Sequence, residues 1–234
     1  MARTIMHNVS AWKPESESDL EHFRGIPWCA QVICIPGVKP YTIDFPMRTS
    51  RGADPIIHGF MFRDGGILRH SNLVAPQGLF PELDPKQLSP SSHLATLASN
   101  TTSNTEEPII ELPSQDQYPI YVDLFTLGSG LQGFPSTLYG GVVTLLADGV
   151  CGRIAWVHRD QTKQFYTAYT NVRFIKPITF GRDGLVTILI KSQISRRLTT
   201  EGKIVVTAVF EDSNGSIHAV AESMAVEKMV KGKL

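Results

Sequence analysis

Residues 139–158, YGGVVTLLADGVCGRIAWVH, read as one helix that is apolar on nearly every face and carries a single carboxylate, Asp148. A helix of that composition calls for burial on all sides rather than along one stripe. An ionised Asp in such surroundings is costly unless it is hydrogen-bonded or put to chemical use. Gly140 and Gly141 stand at the entrance, where the first N–H groups lack intrahelical partners and the helix dipole favours negative charge. The stretch therefore predicts a core helix and a candidate catalytic carboxylate together.

Working outward, YPIYVDLFTLG (118–128) reads as a strand, and the Gly-rich turn GSGLQGFPS leads from it into the helix. Three β-rich stretches follow the helix. QFYTAYTNVRFIKP (164–177) is β-branched and aromatic, and DGLVTILIKSQIS (183–195) puts Val186, Ile188, Ile190 and Ile194 on one face. GKIVVTAVFED (202–212) turns through Ser213-Asn214-Gly215 into SIHAVAESMAVEKM (216–229), an Asn-Gly hairpin signal. Strand, helix and then antiparallel strands describe an α+β fold, one sheet wrapping a central helix.

The first half is less regular. Residues 1 to about 55 are Pro-punctuated, with a short polar helix expected near Ser16–Phe23 ahead of Ile26-Pro27-Trp28. Residues 56–75 carry a hairpin signal around Asp64-Gly65-Gly66. From Pro76 to Ser114 the chain is rich in Pro, Ser, Thr and Asn, a composition that suits a mobile loop or a lid. The expected division is an N-terminal extension over 1–115 and a domain over 116–234.

Lys plus Arg and Asp plus Glu are equal at 22 each, so no charge excess points to nucleic acid or an anionic membrane. No uninterrupted apolar run approaches the roughly 18–20 residues that span a bilayer, and the first residues lack the apolar core of a secretory signal. Cys29, Cys34 and Cys151 lack CxxC spacing and read as free thiols, with no metal site. The expectation is a soluble, cytoplasmic protein.

The helix and its neighbours resemble the hotdog-fold thioesterase superfamily, its PaaI-like branch in particular. The resemblance rests on Tyr139-Gly140-Gly141 followed by Leu145-Leu146-Ala147-Asp148, where that family has His-Gly-Gly and a Leu-rich turn ending in a catalytic Asp. It rests also on Asn171-Val172-Arg173-Phe174-Ile175-Lys176-Pro177, and it covers roughly residues 118–228. More loosely, His22-Phe23-Arg24-Gly25-Ile26-Pro27-Trp28-Cys29 resembles the opening of extended fungal members. Three positions depart from the family pattern. Tyr139 replaces the motif His, Gly133 stands where an Asn often binds the thioester carbonyl, and Gly149 replaces an acidic residue found in some branches.

The resemblance implies a hotdog fold, an acyl-CoA or carrier-bound thioester as substrate, no cofactor, and a homodimer or homotetramer. It implies Asp148 as base or nucleophile and Thr167 as the residue that positions water. The Gly141 N–H would hold the oxyanion, glycine being small enough to admit the thioester. Burial is expected to raise the Asp148 pKa toward neutrality. Tyr139 could donate a hydrogen bond to a carbonyl or could simply reshape the pocket. Gly140, Gly133 and Phe134 fall in the substrate-binding set, and Arg196-Arg197 could meet a phosphate of coenzyme A or form a solvated turn. Arg153, five residues past Asp148 and about 140° round the helix, is expected to reach outward or across an oligomer interface. Three functions remain open at this point: thioester hydrolysis, a dehydratase, isomerase or cyclase of a secondary metabolite on the same scaffold, and a binding protein without catalysis.

Overall fold

The computed structural model describes residues 9–10, 17–43, 65–75 and 118–229. In chain order the elements are β1 (Val9–Ser10), α1 (Glu17–Arg24), α2 (Pro27–Ile33), β2 (Lys39–Pro40), β3 (Thr42–Ile43) and β4 (Ile67–Ala75). Then follow β5 (Ile120–Gly128), a 3-10 turn over Ser129–Leu131, β6 (Gln132–Phe134), β7 (Thr137–Leu138) and α3 (Gly140–His158). The chain ends in four long strands, β8 (Lys163–Phe174), β9 (Leu185–Leu198), β10 (Lys203–Glu211) and β11 (Ile217–Met229).

The main sheet has seven antiparallel strands in the order β2-β4-β5-β9-β10-β11-β8. Five of them, β5 to β8 in that order, wrap α3, which contacts β8, β9, β10 and β11. This is the expected α+β hotdog arrangement. Ten α3 residues are buried, among them Val142, Ala147, Val150 and Ile154. The β9 stripe anticipated from alternation, Ile188, Ile190 and Ile194, packs in the same core.

The second face of the sheet is covered as well. Leu20 and Phe23 of α1 and Cys29 of α2 are buried against Leu73, Ile120, Val122, Leu124 and Leu189. Strand β5 divides between the two layers, with Tyr121, Phe125 and Leu127 toward the α3 core and Ile120, Val122 and Leu124 toward α1 and α2. Side chains alternate along a strand, so covering both faces buries all nine positions of β5. The polar helix expected near Ser16–Phe23 forms one residue later, and Pro27 begins α2 where a missing N–H costs nothing.

Two expectations lie wholly or partly outside the described residues, and a third changes. The 56–64 arm of the hairpin lies outside the described residues. Its other arm, β4, pairs along β5 from Ile67↔Leu127 to Ala75↔Ile120 and extends the same sheet. The polar 76–114 stretch lies outside the described residues. Helix α3 has 19 residues with a mean hydropathy of 1.3 over 18 of them, enough by length and composition to cross a bilayer. Asp148 and Arg153 break the run, so no uninterrupted apolar stretch in the sequence marks this length. Its packing within the sheet identifies it as the core helix of the fold.

Nor is α3 buried on every side. Gly141 and Gly149 are exposed, and Leu145, Asp148, Gly152, Arg153 and Trp156 are half-buried. At 3.6 residues per turn these positions form one open strip, with Asp148 along one margin and Arg153 along the other. A Cβ added at Gly149 or Gly152 would meet none of the described residues within 4 Å.

Candidate active site

The helix mouth is shaped by the β6–β7 hairpin and by glycine. The Tyr139 N–H donates to the Leu131 carbonyl at 3.0 Å, and the Tyr139 carbonyl accepts from Val142 at 2.9 Å, which starts the helix. No side chain caps this end, so the Gly140 and Gly141 N–H groups keep the open donor positions of a helix start. The Tyr139 ring lies across both flanking glycines. A Cβ on Gly133 would come within 2.8 Å of the ring, and one on Gly141 within 2.5 Å. Either residue must be glycine for the phenol to lie where it does. Tyr139 is 53% exposed, and Phe134 beside it is 77% exposed.

Two turns into the helix, Asp148 is half-buried, and its Oδ1 accepts a hydrogen bond from the Thr170 hydroxyl at 3.0 Å. Ser223 Oγ lies 3.0 Å from the Thr170 oxygen and donates to the Tyr169 carbonyl at 3.1 Å. The carboxylate on the helix is thus held to β8 by the Thr170 hydroxyl, with Ser223 of β11 beside it. Thr167, expected to position water, is exposed three residues away, and the threonine that reaches Asp148 is Thr170. A bulge lies between them: Tyr169 pairs with Met224 and Thr167 with Ala225, so Ala168 is extra. Two threonines that simple alternation would set on opposite faces therefore share one, Thr167 lying farther along the strand.

The basic pair is not near the mouth. The Arg197 guanidinium donates to the His158 carbonyl at the last residue of α3 and lies 3.6 Å from Glu227. Nineteen residues at 1.5 Å rise separate the two helix ends by about 27 Å. Arg197 therefore clamps the helix C-terminus, where carbonyls lack partners and a cation is favoured, instead of standing on a solvated turn. Arg196 is exposed beside it on β9.

A second charged cluster occupies the other margin of the open strip. Arg153 points inward, contrary to the outward reach expected of it, and its guanidinium donates to Oδ1 of Asp123 on β5. His70 Nε2 lies 3.0 Å from the same oxygen and 3.4 Å from Arg153 Nη1, and its ring stacks on Phe125 with centroids 4.1 Å apart. Asp123 is fully buried. Burial opposes its ionisation, but the Arg153 charge and the bonds from His70 and Arg153 outweigh burial and hold its carboxyl below the usual range. The signal for this cluster was the single Asp in IYVDLFTLG, since a charge in a strand buried on both faces needs a counter-ion.

Solved structures similar to part of this chain are thioesterase-superfamily proteins. The PaaI protein of the Escherichia coli phenylacetic acid degradation operon is 16% identical over 47% of this chain and 72% of its own, with a TM-score of 0.38. A Haemophilus influenzae thioesterase is 11% identical over 61% of this chain and 92% of its own, with a TM-score of 0.43. A hypothetical thioesterase of Streptococcus pneumoniae TIGR4, solved with coenzyme A, is 12% identical over 48% and 81%, with a TM-score of 0.41. No protein-family model and no curated protein matches the sequence. The solved proteins that part of this chain is similar to thus include a thioesterase, a hypothetical thioesterase and PaaI.

Proposed function

We propose that the chain hydrolyses an acyl-CoA or carrier-bound acyl thioester at the mouth of α3. The observation that carries this reading is the half-buried Asp148, bonded to Thr170 two turns beyond an uncapped helix start with glycine at both open N–H groups. The thioester carbonyl approaches Gly141, whose N–H stabilises the oxyanion that develops as the carbon becomes tetrahedral. Seven residues along one helix set Asp148 about 10.5 Å beyond the Gly141 of its own chain. In this reading the thioester therefore lies between two copies, and the Asp148 of the second takes a proton from the water that attacks this carbon. The tetrahedral intermediate then collapses, the C–S bond breaks, and the thiolate leaves and takes up the proton. Thr170 positions the carboxylate.

A second copy of the chain completes the site in this reading. Strand β8 is the last in the sheet, twelve residues long, with Tyr166, Phe174 and Ile175 roughly half exposed along or just beyond it. An edge of that length is a template for pairing, and the open strip of α3 beside it is apolar. A homodimer would cover both.

Incubation with acyl-CoA esters and a thiol-reactive dye tests the reaction: free thiol is expected from the natural protein and none from Asp148→Asn of unchanged fold. An Asp148→Asn protein that still turns over would remove the assignment. The exposed phenol of Tyr139 supports a second reading, a dehydratase, isomerase or cyclase, since it can polarise a carbonyl without a nucleophilic water. A product isomeric with its substrate, or lighter by one water, would identify that chemistry.

A further inference from the structure

Among the described residues, four buried polar atoms around the Asp123 cluster lack a hydrogen-bond partner: Tyr41 Oη, Asn72 Oδ1, Asp123 Oδ2 and Arg153 Nε. They belong to one place. Asn72 and Asp123 are directly opposite in the β4–β5 ladder, the Tyr41 N–H donates to the Asn72 carbonyl at 3.1 Å, and Arg153 holds Asp123. Native proteins leave few such atoms unpaired, and a cluster of them calls for an explanation. Folding leaves this group with an unused donor on Arg153, two unused acceptors on Asp123 and Asn72, and a hydroxyl that can act as either.

We propose that these atoms form a second subsite, which takes a neutral oxygen function, a hydroxyl or a carbonyl, on the acyl part of the substrate. Charge selects a neutral group, because the Asp123 carboxylate is already balanced by Arg153. Hydrogen-bond capacity selects oxygen, because a hydroxyl can donate to a free acceptor and accept from Arg153 or Tyr41, while a carbonyl uses the donors alone. Position ties the subsite to the reaction. Arg153 borders the open strip of α3 opposite Asp148, five residues and about 7.5 Å farther along the axis. An acyl chain leaving a thioester at Asp148 would cross Gly149, where the absent side chain leaves open space, and end at Arg153. The inference rests on the hydrolase reading for that orientation.

Binding measured by calorimetry in an Asp148→Asn background separates the subsite from the chemistry, since the esters are not consumed. The probes are straight-chain acyl-CoA esters of about six to twelve carbons, compared with the same chains carrying one hydroxyl or keto group. At least one oxygenated ester is expected to bind about tenfold or more tightly than its plain counterpart, because an unpaired buried group penalises the ligand that lacks the oxygen. Tyr41→Phe, in the same background, should bring that ratio close to one while leaving Tm undiminished, because the hydroxyl it removes has no partner among the described residues. Asn72→Leu is the second variant and should narrow the ratio in the same way. Equal affinity of plain and oxygenated chains at every length, or a ratio untouched by both variants, overturns the subsite and leaves buried water as the partner of these atoms. Selective binding without any thiol release from the natural protein would instead overturn hydrolysis and keep the subsite.

Discussion

The Thr170 hydroxyl donates to Oδ1 of Asp148 at 3.0 Å, joining the one carboxylate of α3 to strand β8. A carboxylate that moves a proton needs a fixed direction, and this bond supplies it. Thr170→Val keeps the shape and removes the donor. A hydrogen bond to a charged group contributes about 1.5–3 kcal/mol, so kcat for thioester hydrolysis should fall by about 10- to 100-fold with little change in KM. Thr167→Val, at the neighbouring exposed threonine, should leave kcat within about twofold. Equal losses at the two positions would separate Asp148 from the β8 hydroxyl.

That pair also shows where the sequence stops being legible. The apolar run of α3, the alternation of β9 and the Asn-Gly turn between β10 and β11 are local patterns, and each formed where its period or turn chemistry placed it. Thr170 was not legible, because simple alternation sets it on the face opposite Thr167 and nothing in the local composition marks the bulge at Ala168 that brings the two to one face. Arg153 was misread for a different reason. Its direction depends on Asp123, thirty residues earlier on a strand whose burial on both faces follows from α1 and α2 packing behind it. The open strip of α3 is likewise a property of how far five strands can wrap one helix, not of the helix's own composition.

The Arg153–Asp123 pair predicts a pH-dependent defect. Arg153→Met leaves a buried carboxylate without its cation, which typically costs about 3–5 kcal/mol in urea unfolding at neutral pH. Adding Asp123→Leu should recover most of that loss, giving a coupling of similar size. The natural Asp123 carboxyl has its pKa lowered, so its stability contribution is present above the unfolded value and is lost as pH falls through the folded one. Without Arg153, two of the influences that hold this carboxyl down are gone and burial is opposed by His70 alone, which moves the carboxyl upward from its natural position. The Arg153→Met defect should therefore shrink as pH falls toward the unfolded carboxyl value. A defect that is flat with pH would mean Arg153 contributes packing rather than charge.

His158 predicts an acid-side slope. It is buried at the end of α3, with Nε2 2.8 Å from the Tyr121 hydroxyl, and burial together with nearby Arg197 pushes its pKa down to about 4. The neutral ring is the folded form, so the unfolded chain takes up the proton first as pH drops. Stability should decline between about pH 6.5 and about pH 4, by about 3 kcal/mol across that window, and His158 should add no further slope below it. His158→Gln keeps an acceptor for Tyr121 and cannot titrate. Urea midpoints of that variant should lose this part of the slope, and an unchanged profile would assign it to other groups.

Gly149 and Gly152 decide what lies against the open strip. Within one chain a side chain at either position meets open space, and replacing an exposed helical glycine ordinarily gains about 0.5–1 kcal/mol. A folded single chain should therefore tolerate Gly152→Leu, with a helical signal and Tm no lower than the natural protein's. Against a second copy the same leucine would project into a surface that the glycine had kept flat, and overpacking of that kind is destabilising. The natural chain is expected to sediment as a dimer and Gly152→Leu as a folded monomer. The loss should carry thioesterase activity with it, because Asp148 borders the same strip. A Gly152→Leu protein that stays dimeric would move the interface away from α3, and one that is monomeric yet fully active would mean a single chain holds the whole site.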